Sequence, residues 1–312
     1  MYIRVLRVVI YNTLKNIPLP VFEYNFMKTL NILIFFFFTI NMNCQTKLKD
    51  KDYVLVTEDG ISVEKFDSTN VHQNRFTKNN TVFSEGTVFT YDFEHITQTN
   101  QKLLFAKDER VEDYKFDWKF VPMDSVNENT VTSVKITVMP GLEPIIQFHP
   151  DYNQTILKYE YHTESGKAFS NSMSGVIENE NNIWMHPPRD KYFRILELNP
   201  FPFINAPYEV GNEWEWTLGI GSGWGDVRWK VWEGRIENKY EYKITDKKKI
   251  KTALGEIDCF VIESTAKSRI GETQLTSFFN PECGFIKLSY TNIDGSKTNL
   301  ELIGHSKSAS GQ

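Results

Sequence analysis

The sequence is short of the residues that carry most recognisable chemistry. It holds three cysteines and six histidines in 312 residues. None of His72, His95, His149, His162, His186 and His305 stands in H-E-x-x-H or another metal-ligand spacing. There is no G-x-S-x-G elbow and no P-loop. Cys259 and Cys283 have no C-x-x-C partner, which argues against a redox role. Positive charge is not in excess: the net charge is -5, so the basic face that marks a nucleic-acid binder has no source. After residue 44 no stretch keeps a helical period. These absences leave no cofactor or metal to expect and no nucleic-acid partner.

What is present is aromatic and strand-forming. Seven Trp, 14 Tyr and 23 Phe make 14% of the chain, a level that favours sheets. Short alternating runs recur between Gly, Asn, Asp and Pro, the pattern of an antiparallel sheet with one buried face. The fold class expected is mainly β: an antiparallel meander forming a curved sheet or open barrel.

The first 44 residues differ from the rest. Leu30 to Ile40 reads LNILIFFFFTI behind Met27-Lys28. A charged start and an apolar run of this length describe a secretory signal, and the run is too short to span a bilayer. Residues 1–26 then read as an upstream extension, with an N-terminal anchor helix as the alternative. Cys44 follows, and the segment resembles a bacterial lipoprotein signal. The resemblance is partial, because Asn41 and Asn43 replace the usual Leu and small residue. Lipidation of Cys44 and simple cleavage both stay open. In either case the chain is expected to be exported to the periplasm, outer membrane or cell surface, touching membrane only through a lipid anchor. In an oxidising compartment Cys259 and Cys283 are then expected to form a disulfide, two buried thiols being the alternative.

Five segments follow: 1–44 as extension and signal, 45–52 as linker, 53–207 as a β-rich part with a long connection, 208–305 as the C-terminal meander, and 306–312 as tail. In the second part Thr87–Phe93, Val131–Val138, Ile145–Phe148, Thr155–Tyr161, Met173–Glu178 and Ile183–Met185 are expected strands. Residues 187–211 are an irregular connection packed by Phe193, Phe201 and Phe203, with Tyr192 to Leu198 a short helix or a strand. In the meander seven strands are expected. Trp214–Ile220 is one, Val227-Trp229-Val231 the next, and Asp294-Gly295 marks the last hairpin.

Lys251 to Tyr290 carries a weak family likeness. Thr252, Gly255, Phe278, Phe279, Pro281, Gly284 and Phe285 stand where uncharacterised exported bacterial proteins of unknown function place a turn, an aromatic pair and a Pro-x-x-Gly-aromatic turn. The segment resembles their C-terminal meander, broadly shaped like a lipoprotein-carrier half-barrel. The resemblance implies a concave sheet face that holds apolar material, and it carries no catalytic residue.

The one concentrated feature is tryptophan: five of seven lie between Trp214 and Trp232, around a glycine-rich turn. Trp214, Trp216 and Trp229 alternate as core would. Trp224 and Trp232 fall outside that alternation and, with Phe201 and Phe203, are the candidate contacts for an apolar or sugar-like ligand. The expected function is therefore a non-catalytic envelope protein that binds such a ligand. A hydrolase built on His149, His162 or His186 with nearby carboxylates is the first alternative. His149 and Asp151, like His162 and Glu164, lie two apart. A structural or interaction module is the second.

Overall fold

The computed structural model describes residues 53–66, 79–108, 110, 117–140 and 153–307. Cys44, the leader, the 45–52 linker, His72, His149, Asp151 and the Ile145–Phe148 strand lie outside these residues. The mainly β expectation holds: strand makes 62% and helix 6%, in one large antiparallel sheet nearly closed into a barrel.

Among the described residues sixteen strands run in chain order: β1 (Tyr53–Glu58), β2 (Ile61–Phe66), β3 (Val88–Ile96), β4 (Lys102–Lys107), β5 (Trp118–Pro122), β6 (Thr130–Val138), β7 (Thr155–Thr163), β8 (Ala168–Glu178), β9 (Asn182–Met185), β10 (Phe203–Asn205), β11 (Glu213–Gly221), β12 (Arg235–Thr252), β13 (Gly255–Ser268), β14 (Gly271–Asn280), β15 (Gly284–Thr291) and β16 (Lys297–Ser306). The main sheet has the order β10-β9-β8-β7-β6-β4-β3-β16-β15-β14-β13-β12-β11, with β5 added on β4. The joins β3–β4, β7–β8, β8–β9 and each step from β12 to β16 are hairpins with short turns, as alternating sequence requires, whereas β10–β9, β6–β4 and β3–β16 pair strands that no short turn connects. The meander has six strands rather than seven. Val227, Trp229 and Val231 belong to an irregular connection between β11 and β12, where only Asp226 and Lys230 form a bridge. The reason is packing: Trp229 is buried while Val227 and Val231 are exposed, an alternation with no partner strand beside it.

Period-two patterning sets each face. In β12, Ile236, Asn238, Tyr240, Tyr242 and Ile244 are buried, and the residues between them are exposed. Their inner face meets Trp216, whose ring stacks on Tyr240 at 4.5 Å and whose indole N–H donates to Tyr242 Oη at 3.0 Å. The concave face is filled by the chain itself. The connection after β9 enters it as a 3-10 helix, Lys191–Leu198, burying Tyr192, Phe193, Ile195, Leu196, Glu197 and Leu198. Asn238 Nδ2 and Thr273 Oγ1 both donate to the Leu198 carbonyl, at 3.2 and 2.8 Å, and so tie this plug to the sheet.

The β10–β11 seam is closed by side chains. Asn212 Nδ2 donates to the carbonyls of Asn205 and Pro207, each at 3.0 Å, and Phe203 packs on Trp214 at 5.7 Å. The β1–β2 hairpin lies at this seam: Ser62 N donates to Asn182 Oδ1 at 2.7 Å, and the turn residue Gly60 abuts Glu215 and Trp216.

Two expectations on side chains are corrected here. Cys259 and Cys283 are free thiols, not a disulfide. Cys259 is fully buried in the core, while Cys283 sits at its margin in the β14–β15 turn, its N–H held by Asn280 Oδ1 at 3.0 Å. Both act as small apolar residues. Phe201 and Phe203 are fully buried, so neither offers a face to a ligand; they pack against Trp184, Trp216, Trp214 and Tyr242.

Candidate functional site

The connection between β11 and β12 crosses one end of the sheet and is held there by three arginine–aromatic contacts. On one side Trp224 packs against Arg189 and Arg194, whose guanidinium carbons are 4.6 and 5.5 Å from its ring centroid. Arg194 also donates to the Gly223 carbonyl. On the other side Arg228 lies 4.0 Å above the ring of Trp118 on β5. Gly225 allows the chain to pass close: a Cβ there would stand 3.1 Å from two carbonyl oxygens and 3.3 Å from the Trp232 ring.

Between this connection and the β4–β5 hairpin runs a groove of about 620 Å³, walled by Trp118, Phe120, Val227, Val231 and a set of charged side chains. The charges balance. Asp108, Asp117 and Asp226 face Arg110, Lys119 and Arg228. Arg110 grips Asp108 with both Nε (2.9 Å) and Nη2 (2.8 Å) and holds its carboxyl down at about 2. Arg228 grips Asp226 in the same two-pronged way, at 2.8 and 2.5 Å, and reaches Asp117 Oδ1 at 3.1 Å. Burial works to raise Asp226, yet the bonds and charge of Arg228 outweigh it and keep the carboxyl below its ordinary range.

Behind the groove the polar groups form a closed network. Phe120 stacks on His95 at 4.4 Å, and His95 Nδ1 meets Tyr192 Oη at 2.8 Å. Tyr192 also bonds Thr298 Oγ1, to which Asn292 Nδ2 donates at 2.8 Å. Burial pushes His95 down to about 4, so its ring is neutral at physiological pH. A second buried set lies beneath Trp224. Arg189 Nε pairs with Glu197 Oε1 at 3.0 Å, both side chains being less than a tenth exposed.

Of the expected ligand contacts, Trp224 does not line the groove; its ring packs against the two arginines. Trp232 is 8% exposed and belongs to the core. His186 is buried, with Arg189 as its close charged neighbour, and burial drives its pKa well below the usual value. His162 lies apart on β7, bonded through Nδ1 to the Gly166 carbonyl at 3.0 Å. Among the described residues no three His, Cys, Asp or Glu side chains gather as a metal would require. The groove residues Trp118, Phe120, Asp117 and Arg228 were not legible as a site. Their one local sign is Asp226-Val227-Arg228, a turn in which Asp226 Oδ1 accepts the Arg228 N–H at 2.9 Å. Nothing local places that turn against residues 110 positions earlier. A larger depression of about 760 Å³ crosses β11–β14; it is lined by Glu213, Glu215, Glu241 and Glu263 and by one lysine, Lys243, which pairs with Glu213 at 2.5 Å.

No protein-family model and no curated protein matches the chain. Three solved structures show similarity at low identity. A protein described as a candidate lipoprotein from Parabacteroides distasonis is 12% identical, with TM-score 0.41, over 72% of this chain and 99% of that one. An exported-protein candidate with a YmcC-like fold from Bacteroides fragilis is 11% identical, with TM-score 0.39, over 72% and 97%. The hypothetical lipoprotein YmcC from Escherichia coli is 6% identical, with TM-score 0.31, over 75% and 92%.

Proposed function

We propose that this chain is an exported, non-catalytic protein of the cell envelope whose β domain binds a polar, ring-bearing ligand such as a short oligosaccharide. The observation that carries the ligand class is the lining of the groove. Half-buried Phe120 and the exposed Val227 and Val231 offer apolar faces to a sugar ring, with Trp118 buried beneath Arg228 as the floor, and the balanced charges offer hydrogen bonds. An apolar ligand in the concave sheet face is the poorer fit, because the Lys191–Leu198 plug and the core aromatics occupy that space. Export rests on the Leu30–Ile40 run behind Met27-Lys28 and on Cys44 after it.

Two measurements test this. Tryptophan fluorescence of the purified domain is titrated with neutral oligosaccharides and, separately, with fatty acids. A saturable response to a sugar that disappears in Phe120→Ala, with the melting temperature of that variant kept within a few degrees, is expected. A response to fatty acids alone, or to neither class, overturns the ligand assignment. Intact mass of the protein from its own host tests export: a chain starting at or near Cys44 supports it, and a chain keeping residues 1–43 overturns it. An acyl increment on Cys44 identifies the lipidated form.

A further inference from the structure

Arg228 is more fully caged than an exposed arginine needs to be. Its guanidinium has the Trp118 ring on one face at 4.0 Å. Asp226 accepts Nε and Nη2, Asp117 accepts Nη1 at 3.1 Å, and the Trp118 carbonyl accepts Nη1 at 3.3 Å. An aromatic face, two carboxylates and a carbonyl are the parts with which proteins recognise a guanidinium or ammonium group. We propose that Trp118, Asp117, Asp226 and the Trp118 carbonyl form a cation-recognition cage. Arg228 occupies it in the free chain, and a ligand bearing a guanidinium or ammonium group displaces that arginine. The proposal deepens the binding role given to the groove and rests on it.

Two features separate this cage from a simple clamp on the connection. First, it opens to the groove: the side chains of Arg228 and Asp117 are 33% and 44% exposed, so an outside group can reach it. Second, the connection has other anchors. Trp229 and Trp232 are buried, Trp224 lies on Arg189 and Arg194, and Asp226 bridges to Lys230 through the backbone. The cage walls therefore stay in place when the guanidinium leaves. Vacated, the cage holds two carboxylates with no cation between them, and like charges so close favour uptake of a positive group. An amino sugar, with an apolar ring face and an ammonium, suits cage and groove together.

The test uses Arg228→Ala, with Arg228→Gln as the milder variant should the first fail to fold. Agmatine, D-glucosamine and D-glucose are titrated by calorimetry and tryptophan fluorescence. Agmatine is expected to bind the variant saturably and at least about tenfold more tightly than the parent, in which Arg228 competes. Asp226→Asn in the variant background is expected to weaken that binding by about tenfold or more. Glucosamine binding without glucose binding assigns the ammonium of an amino sugar as a source of the cation, whereas agmatine, which carries both an ammonium and a guanidinium, tests the cage for either group. A folded variant that binds neither amine better than the parent overturns the cage, as does binding indifferent to Asp226→Asn. Glucose bound as tightly as glucosamine overturns the cage alone and leaves the oligosaccharide groove standing.

Discussion

Arg189 and Trp224 meet across 35 positions of sequence: the guanidinium carbon lies 4.6 Å from the ring centroid, and the same guanidinium pairs with Glu197 at 3.0 Å. Trp224 thus roofs a buried ion pair, and its loss hydrates that pair. Trp224→Ala is expected to cost about 1–2 kcal/mol, the range of a partly desolvated cation–π contact with its cover. Glu197→Ala leaves the Arg189 charge buried without its carboxylate and is expected to cost about 3–5 kcal/mol. Urea unfolding of both variants checks the order; a Trp224 variant as damaged as the Glu197 variant contradicts it.

Glu178, at the end of β8, gathers the 81–83 segment. Its carboxylate accepts Thr81 N (2.8 Å), Thr81 Oγ1 (2.7 Å), Val82 N (2.9 Å) and Phe83 N (2.8 Å). Removing the acceptor leaves the buried N–H groups of Val82 and Phe83 unpaired. Glu178→Ala is expected to lose about 3 kcal/mol or more, and Glu178→Gln to lose less because one oxygen remains. Thermal melts of the two variants read the difference.

Gly60 is a turn residue with φ of +90°, and a Cβ there would stand 2.6 Å from the Glu215 carbonyl oxygen. Backbone strain and a clash with an immobile oxygen act together. Gly60→Ala is expected to lower stability by about 2–4 kcal/mol, with hydrogen exchange rising first in β1 and β2. An unchanged melting temperature means that the hairpin does not dock at the seam.

Acid weakens the fold through histidine. Burial lowers His95 to about 4, the charge of Asp294 working weakly against it, while the unfolded value is near 6.5. Between those pH values the unfolded chain binds a proton that the folded chain refuses, so stability falls as pH drops through that window. The loss from His95 approaches about 3 kcal/mol at pH 4, and buried His186 acts in the same direction. His95→Gln is expected to flatten the pH 4–6.5 limb of the stability curve. A limb of unchanged slope assigns the effect elsewhere.

The thiols carry the opposite limb. Burial pushes Cys259 up to about 12, so the folded chain keeps a proton that the unfolded chain releases above roughly pH 8.5. Stability therefore falls as pH rises from there toward 12. At pH 8 Cys259 is expected to resist alkylation in the folded protein and to react once unfolded, as read from peptide masses. A peptide pair linked through Cys259 and Cys283 contradicts the free thiols of the structure.

Strand identity was legible wherever an alternating run was bounded by turn residues: β3, β6, β7, β8 and the strands from β11 to β16 follow period two, and one buried face enforces that period. The same pattern misled at Val227, Trp229 and Val231, because alternation needs a neighbouring strand before it becomes a sheet. β12 also runs to Thr252, well past its alternating stretch, because pairing with β13 carries the ribbon on. Trp224 and the glycine turn were legible as a crowded place in the sequence, while Phe201, Phe203 and Trp232 went into the core.

The amino-acid sequence by itself determined the β class, the hairpin order and the candidate signal ahead of the domain, since local spacing of apolar residues, Gly and Pro acts over a few positions. Only the tertiary structure decided that the groove is built from Trp118 and Arg228, 110 positions apart, and that Cys259 and Cys283 stay unbridged. Curvature of the sheet brings such residues together, and it comes from the summed twist of many strands and from the plug that fills them. No local segment encodes either one.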